Sequence, residues 1–328
     1  MKLDFNKNHR LLFGMAGGGF IILSIMVAVA PAAWVQENTE PLPDSEPLDS
    51  LERAGLAVYV AEGCAYCHTQ QVRPLEQDRD FGRPSHPGDY ARLQRLDFWR
   101  QTPGLLGTER TGPDLSDIGS RQPSATWHHI HLYQPRAVVQ GSVMPAFPWL
   151  YRVEGRPDSA AVTVGVPDPH GPPEGTVVAG RDARALVAYM MALRQAPLPG
   201  GRAGGGPAPG GESGETGSGE VSGARVFQNN CATCHQTDGQ GVPGSFPPLA
   251  GDPVVTADDP TRHVEIVLNG LQGKTIEGTT YQAAMPAWGD RLSDAEIAAV
   301  VNHERTSWGN DAPTVTAEEV AGIREGQS

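Results

Sequence analysis

The sharpest contrast in polarity along the chain comes at its start. Residues 11–33, LLFGMAGGGFIILSIMVAVAPAA, carry no charged side chain. At 23 residues the run is long enough to cross a bilayer as a helix, although three adjacent glycines weaken it as an isolated one. Lys2, Lys7 and Arg10 stand before it, and Glu37, Glu40, Asp44, Glu46, Asp49 and Glu52 follow it. The basic flank predicts a cytoplasmic N-terminus and places everything after residue 35 on the periplasmic or extracytoplasmic side of the cell membrane. The competing reading is a cleaved signal peptide, because small residues end the stretch. The apolar regions of such signals are shorter, about 7–15 residues. A retained single-pass anchor over residues 1–36 is the reading adopted.

Beyond the anchor the apolar positions fall into short helical stretches. A Pro- and acid-rich spacer, roughly residues 36–50, comes first. A helix is predicted from near Ser50, where Leu51, Ala54, Leu56, Val58 and Tyr59 lead toward Cys64. A second is predicted over Arg181–Arg194, with Leu186, Val187, Tyr189, Met190 and Leu193 at near-helical spacing. The low-complexity run at 197–222, rich in Gly and Pro, reads as a flexible tether. A short helix through Val226 and Phe227 then enters Cys231. Ser293-Asp294-Ala295-Glu296 is a capping box opening a last helix through Ile297, Val300 and Val301. The tail from Asp311 reads as frayed or solvent-exposed.

Composition adds to this picture. A length of 328 residues favours about two domains, and Gly plus Pro is 69 residues against 39% hydrophobic ones. That is a poor recipe for one large apolar core and points to small domains stapled by something besides packing. The net charge of −13 argues against nucleic acid as a partner and permits docking to a basic protein.

The four cysteines form two Cys-x-x-Cys-His motifs, and each begins an ordered set of parts. In the first half these are Cys64, Cys67, His68, then Pro113 and Leu115, then Met144 and Pro145. In the second they are Cys231, Cys234, His235, then Pro247 and Leu249, then Met285 and Pro286. The chain is an internal repeat whose first copy is longer: 44 residues separate His68 from Pro113, against 11 between His235 and Pro247.

Cys-x-x-Cys-His is the signature of covalent c-type haem attachment. Two thiols about one helical turn apart each add across a porphyrin vinyl group, and the histidine supplies an imidazole to iron. Its second ring nitrogen needs an acceptor to fix the tautomer, for which a backbone carbonyl near Pro113 or Pro247 is the candidate. Met144 and Met285 are the predicted sixth ligands. A neutral thioether raises the iron potential, and the following proline holds each methionine on a loop. Met190 and Met191 read as core filler on a helix. Disulfides, thioredoxin-like redox centres and zinc sites are the bland alternatives for paired cysteines. Two copies, each followed by Met-Pro, favour two covalently bound haems c.

Weaker signals surround these. His128, His129 and His131 suggest a metal cluster, but consecutive histidines on one helix point in different directions, so surface and core-packing roles are favoured. Arg73, Arg110, Arg121 and Arg136 are candidate partners for haem propionates, and each reads equally as an ordinary surface arginine. His86, His170, His263 and His303 carry no usable signal.

The runs CAYCHTQQVRP (64–74), RTGPDLSDIGSR (110–121) and WHHIHLYQPRAVVQGSVMPAFPWL (127–150), with the anchor and ALVAYMMAL (185–193), resemble the mono-haem subunit II of cbb3-type cytochrome c oxidases. The resemblance covers roughly residues 1–196. It implies a haem–copper catalytic membrane subunit as partner, one that reduces dioxygen and pumps protons, and assigns Cys64, Cys67, His68 and Met144 as attachment sites and axial ligands. Residues 151–180 do not match the family's usual sequence, and subunit II normally ends after the first domain. Residues 221–310 resemble the small cytochrome c modules fused to many respiratory proteins.

The expected fold is mainly α: an anchor (1–36), a first cytochrome c domain (37–196), a linker (197–220), a second cytochrome c domain (221–310) and a tail (311–328). The expected function is that of a di-haem electron-transfer subunit, not catalytic alone. Electrons would pass from a soluble or membrane donor through the C-terminal haem to the N-terminal haem and on to the oxidase, with further cytochrome subunits as possible neighbours. The same role in a nitric oxide reductase, a di-haem peroxidase and a plain membrane-tethered carrier are the alternatives.

Overall fold

The structure, a computed structural model, describes residues 7–92, 109–198 and 221–326, with Gly107 added and positions 44, 274, 277, 278 and 282 excepted. Most of the predicted linker therefore lies outside the described residues.

Asn8 caps the first helix by accepting from the Leu11 N–H. Helix α1 (His9–Ser24) continues through wider π-type turns over Ile25–Val29 into α2 (Ala30–Asn38). The widening immediately precedes Pro31, which has no N–H to give and crowds the carbonyl one turn back. Within His9–Val35 an 18-residue window has a mean hydropathy of 2.2 and none of it is buried, so the helix is long and apolar enough to cross a membrane.

In the first domain α3 (Ser50–Ala61) starts where the pattern predicts, because Asp49 and Glu52 form a reciprocal capping box. Helices α4 (Pro87–Arg92), α5 (Ile118–Arg121) and α6 (Ala125–Tyr133) follow. Next comes an antiparallel sheet of β1 (Tyr151–Glu154), β2 (Thr163–Val164) and β3 (Thr176–Ala179), in the order β1-β3-β2 with Tyr151 opposite Ala179. Helix α7 (Arg181–Ala192) closes the domain, two residues shorter than its periodicity predicts. Tyr59 of α3 and Tyr189 of α7, both fully buried, meet edge to face at 5.6 Å. Gly55 makes that packing possible: a Cβ there would lie 1.9 Å from the Ala185 carbonyl oxygen.

The second domain repeats the plan. Helix α8 (Gly223–Asn230) leads into α9 (Ala232–His235), followed by α10 (Thr261–Asn269) and a two-stranded ribbon of β4 (Thr275–Ile276) and β5 (Thr279–Thr280). Helix α11 (Asp294–Thr306) has the predicted Ser293–Glu296 capping box and packs against α8. Gly223 is the counterpart of Gly55, since a Cβ there would lie 2.0 Å from the Ala299 carbonyl oxygen.

The tail corrects the sequence reading. Residues from Asp311 are not frayed: Ala312 and Val315 are buried, and α12 (Ala317–Glu325) packs Val320, at 0% exposure, into the core of α10 and α11. Arg305 fastens this segment. Fully buried, it donates Nε to Pro313 O at 2.5 Å, Nη1 to Val255 O at 2.9 Å and Nη2 to Ala257 O at 2.6 Å. A buried cation is tolerated because every arm of the fork finds an acceptor.

Candidate functional site: two haem-binding centres

At the end of α3, Gly63 takes a left-handed conformation (φ 71°) and turns the chain into a tight helical turn over Cys64–Tyr66. His68 follows with its Nδ1 2.8 Å from Pro113 O, so the carbonyl foreseen as its acceptor is the one present. A carbonyl can only accept, so Nδ1 carries the hydrogen and Nε2 keeps the lone pair that a metal needs. The loop is held in register by Gly112, whose N–H donates to Cys67 O at 2.9 Å. Asp114, fully buried, accepts from Thr69 Oγ1 at 2.6 Å and from the Gln71 N–H at 2.8 Å. Burial lowers the pKa of His68, keeping the ring neutral. Burial likewise pushes the Cys64 thiol up to about 12, the opposite of what a thiolate redox pair needs. Met144 and Cys64 both pack on the apolar cluster built by Tyr59, Leu115 and Ile130.

Buried donors accompany this centre. Arg121 Nε, Trp127 Nε1 and His131 Nδ1 are buried without a partner. His131 stacks on Trp127 at 4.5 Å, and its pKa falls to about 3 through burial and then the neighbouring His128 and His68. Uncompensated buried donors are costly, and a haem brings two propionate carboxylates that accept. The donor set fits that group. Of the four arginines considered from sequence, Arg73 and Arg110 instead clamp Asp78, at 3.0 and 2.6 Å, and Arg136 is exposed. The Arg73 hydrogen bond, with Arg110 adding its charge, holds the Asp78 carboxyl down at about 2. The His128–His131 run packs inward: His128 and His129 are buried, with His128 Nε2 donating to Gln122 O at 2.8 Å.

The second centre has the same construction. His235 Nδ1 lies 2.9 Å from Pro247 O. Cys231, Cys234, His235 and Met285 line one largely apolar cleft, with Phe246, Leu249 and Val267 among its walls. Met285 is fixed by paired backbone bonds with Leu271, at 2.7 and 3.1 Å. Burial pushes the Cys234 thiol up to about 12 and raises that of Cys231 well above the ordinary thiol range. The sequence missed one feature of this cleft: His263 Nε2 meets Glu304 Oε2 at 2.8 Å, both side chains buried in the lining. The partners lie 41 residues apart on separate helices, and nothing local marks either of them.

Residues 6–167 match the family model described as cytochrome c oxidase, mono-heme subunit/FixO, and residues 220–303 match that of cytochrome c oxidase, cbb3-type, subunit III. Curated relatives include the cytochrome c subunit of alcohol dehydrogenase (quinone) from Gluconobacter oxydans (strain 621H), 46% identical over 104 residues, covering 31% of this chain and 22% of that one. The corresponding subunit from Gluconacetobacter polyoxogenes is 31% identical over 262 residues, 73% of this chain and 54% of that one. Cytochrome c-552 from Thermus thermophilus is 43% identical over 115 residues, 32% of this chain and 86% of that one. The chain thus spans 22–54% of the length of these alcohol dehydrogenase subunits. Taken with two geometrically equivalent Cys-x-x-Cys-His centres, the matches identify an electron-carrying fusion protein with two covalently bound haems c, its first domain belonging to the mono-haem cytochrome c oxidase subunit family and its second to the cbb3-type cytochrome c domains.

Proposed function

We propose that this chain is the electron-transfer subunit of a membrane-bound haem–copper terminal oxidase of the cbb3 type, passing electrons from a donor to an oxygen-reducing catalytic subunit. The observation that carries the reading is the presence of two oxidase-subunit family matches in one chain, the first reaching back into an apolar helix able to span a bilayer. In this reading residues 1–36 anchor the chain with its N-terminus in the cytoplasm. Residues 37–196 and 221–326 form the two cytochrome units outside, the second including α12, joined by the linker 197–220. Cys64 and Cys67, with Cys231 and Cys234, are the thioether attachment points. His68 with Met144, and His235 with Met285, are the axial ligand pairs. A bound haem supplies a one-electron iron couple. The chain supplies position: the Pro113 and Pro247 carbonyls hold the imidazoles in one tautomer, and the apolar walls limit water. Electrons enter at the C-terminal domain and leave through the N-terminal domain, the one that matches the mono-haem oxidase-subunit family.

The relatives favour a second reading, a cytochrome subunit of a membrane dehydrogenase that receives electrons from a substrate-oxidising partner. Purification from detergent-solubilised membranes separates the two. The oxidase reading expects a histidine-rich, many-span subunit to copurify, with cyanide-sensitive oxygen uptake on a reduced carrier. Copurification of a soluble-type dehydrogenase subunit without oxygen uptake would overturn it. Two haems per chain should survive denaturation and acid–acetone extraction, and a Cys231→Ala, Cys234→Ala double variant should keep one.

A further inference from the structure

The two centres are joined by one short stretch of chain. His68 Nδ1 donates to Pro113 O at 2.8 Å, and the carbonyl of the next residue, Asp114, accepts from the Arg121 guanidinium. Arg121 is bonded to Gln122, whose Oε1 stands 3.9 Å from Cys234 Sγ. Gln122 and Pro123 therefore form part of the wall of the second domain's cleft, beside Cys231 and His235. Behind them, the Gln122 carbonyl is fixed by the buried His128 ring at 2.8 Å.

The contact is braced on both sides. Arg291, its guanidinium 5.4 Å above the Trp288 ring, donates Nη1 to Ser120 O at 2.8 Å. Ser245 Oγ donates to Gly165 O, in the turn after β2, at 2.6 Å. Val242, Phe246 and Ala283 of the second domain belong to one continuous apolar cluster with Val164 and Val177 of the sheet. The family match of the first domain runs on to residue 167, so the departure expected over 151–180 is confined to the residues after it; Val164, Gly165 and Val177 of this segment are the ones on which the second domain rests.

We propose that residues 113–123 are the electron conduit between the two haem-binding centres, that Gln122 is the residue positioning the contact, and that the 151–179 sheet is the platform docking the C-terminal domain to make it. The proposal rests on the electron-carrying reading above and is independent of the terminal acceptor. Electron tunnelling falls off far more steeply across empty gaps than along covalent and hydrogen bonds. This route is bonded or hydrogen-bonded from His68 to Gln122 and has a single van der Waals step at Cys234. Docking also covers the Cys234 side of the second cleft, so an external donor must approach that domain from another face.

The test uses the full-length protein with both haems attached, and follows electron equilibration between them after flash photoreduction. Small-angle scattering and the two midpoint potentials are measured alongside. Arg291→Glu sets a carboxylate against the Ser120 carbonyl and close to Asp117. It is expected to slow equilibration by an order of magnitude or more and to expand the particle, with haem content and potentials unchanged. Arg291→Lys should restore most of the rate. Gln122→Gly opens a gap without releasing the docked domain, and should slow equilibration several-fold with unchanged scattering. Equilibration as fast as the parent in both Arg291→Glu and Gln122→Gly, or separated domains in the scattering of the parent protein, would overturn the proposal. A chain carrying fewer than two haems would count against the electron-carrying reading instead.

Discussion

Asp117 sits 1% exposed beside α5, where it accepts from the Gln195 N–H at 2.8 Å. Burial pushes its carboxyl up to about 6, against the pull of that hydrogen bond and of Arg121 and Arg291 nearby. Between about pH 4 and pH 6 the folded chain therefore holds a proton that the unfolded chain has released, and stability falls as pH rises through that window. The pKa difference is worth up to about 3 kcal/mol. Asp117→Asn carries no charge at any pH. Denaturant titrations at about pH 5 and about pH 7 should show a smaller loss of stability for this variant than for the parent, and equal losses would disprove the assignment. At this scale the thiols and imidazole of each centre announce themselves by spacing, and the methionines are proposed from their Met-Pro context. The hydrogen-bond acceptors Pro113 and Pro247 followed from a chemical need. The His263–Glu304 pair did not, because a contact between two helices leaves no periodic trace in either.

Among the elements, α3, α7, α8 and α11 were readable because an apolar face at helical spacing, or a capping box, marks each one. The sheet was not. Its strands run two to four residues, too short for alternation to register, and only the β-branched run Thr176-Val177-Val178 hinted at it. Helix α12 was misread because Val320 is its one buried side chain, so no apolar face shows. Its signal was the capping box Thr316–Glu319. Arg305 makes that element structural, and its loss should be severe. Arg305→Met leaves the carbonyls of Val255, Ala257 and Pro313 without their donor and should cost about 3–5 kcal/mol, read as a lowered Tm of the C-terminal domain. Removing residues 311–328 should destabilise the same domain, whereas a frayed tail would be lost without effect.

The whole molecule combines an apolar N-terminal helix able to span a bilayer with two copies of one plan, and that duplication was legible as an ordered repeat of motifs. How the copies meet was not, since Gln122, Ser245 and Arg291 look like ordinary surface residues along the chain. Truncation after Ala196 should leave a membrane-bound chain with one haem and, on the oxidase reading, an assembled complex. Turnover with a small artificial reductant should survive while turnover with the physiological donor falls sharply. Unchanged physiological turnover would mean that electrons enter at the first domain. The Arg291–Ser120 and Ser245–Gly165 braces carry one more consequence. A junction already made within one chain has no encounter step, so transfer across it should be insensitive to solvent viscosity and, lying behind buried groups, only weakly sensitive to salt. Arrival of a partner from solution depends on both, so added viscosity or salt should slow the exchange of electrons with a separate partner and leave the transfer within the chain unchanged.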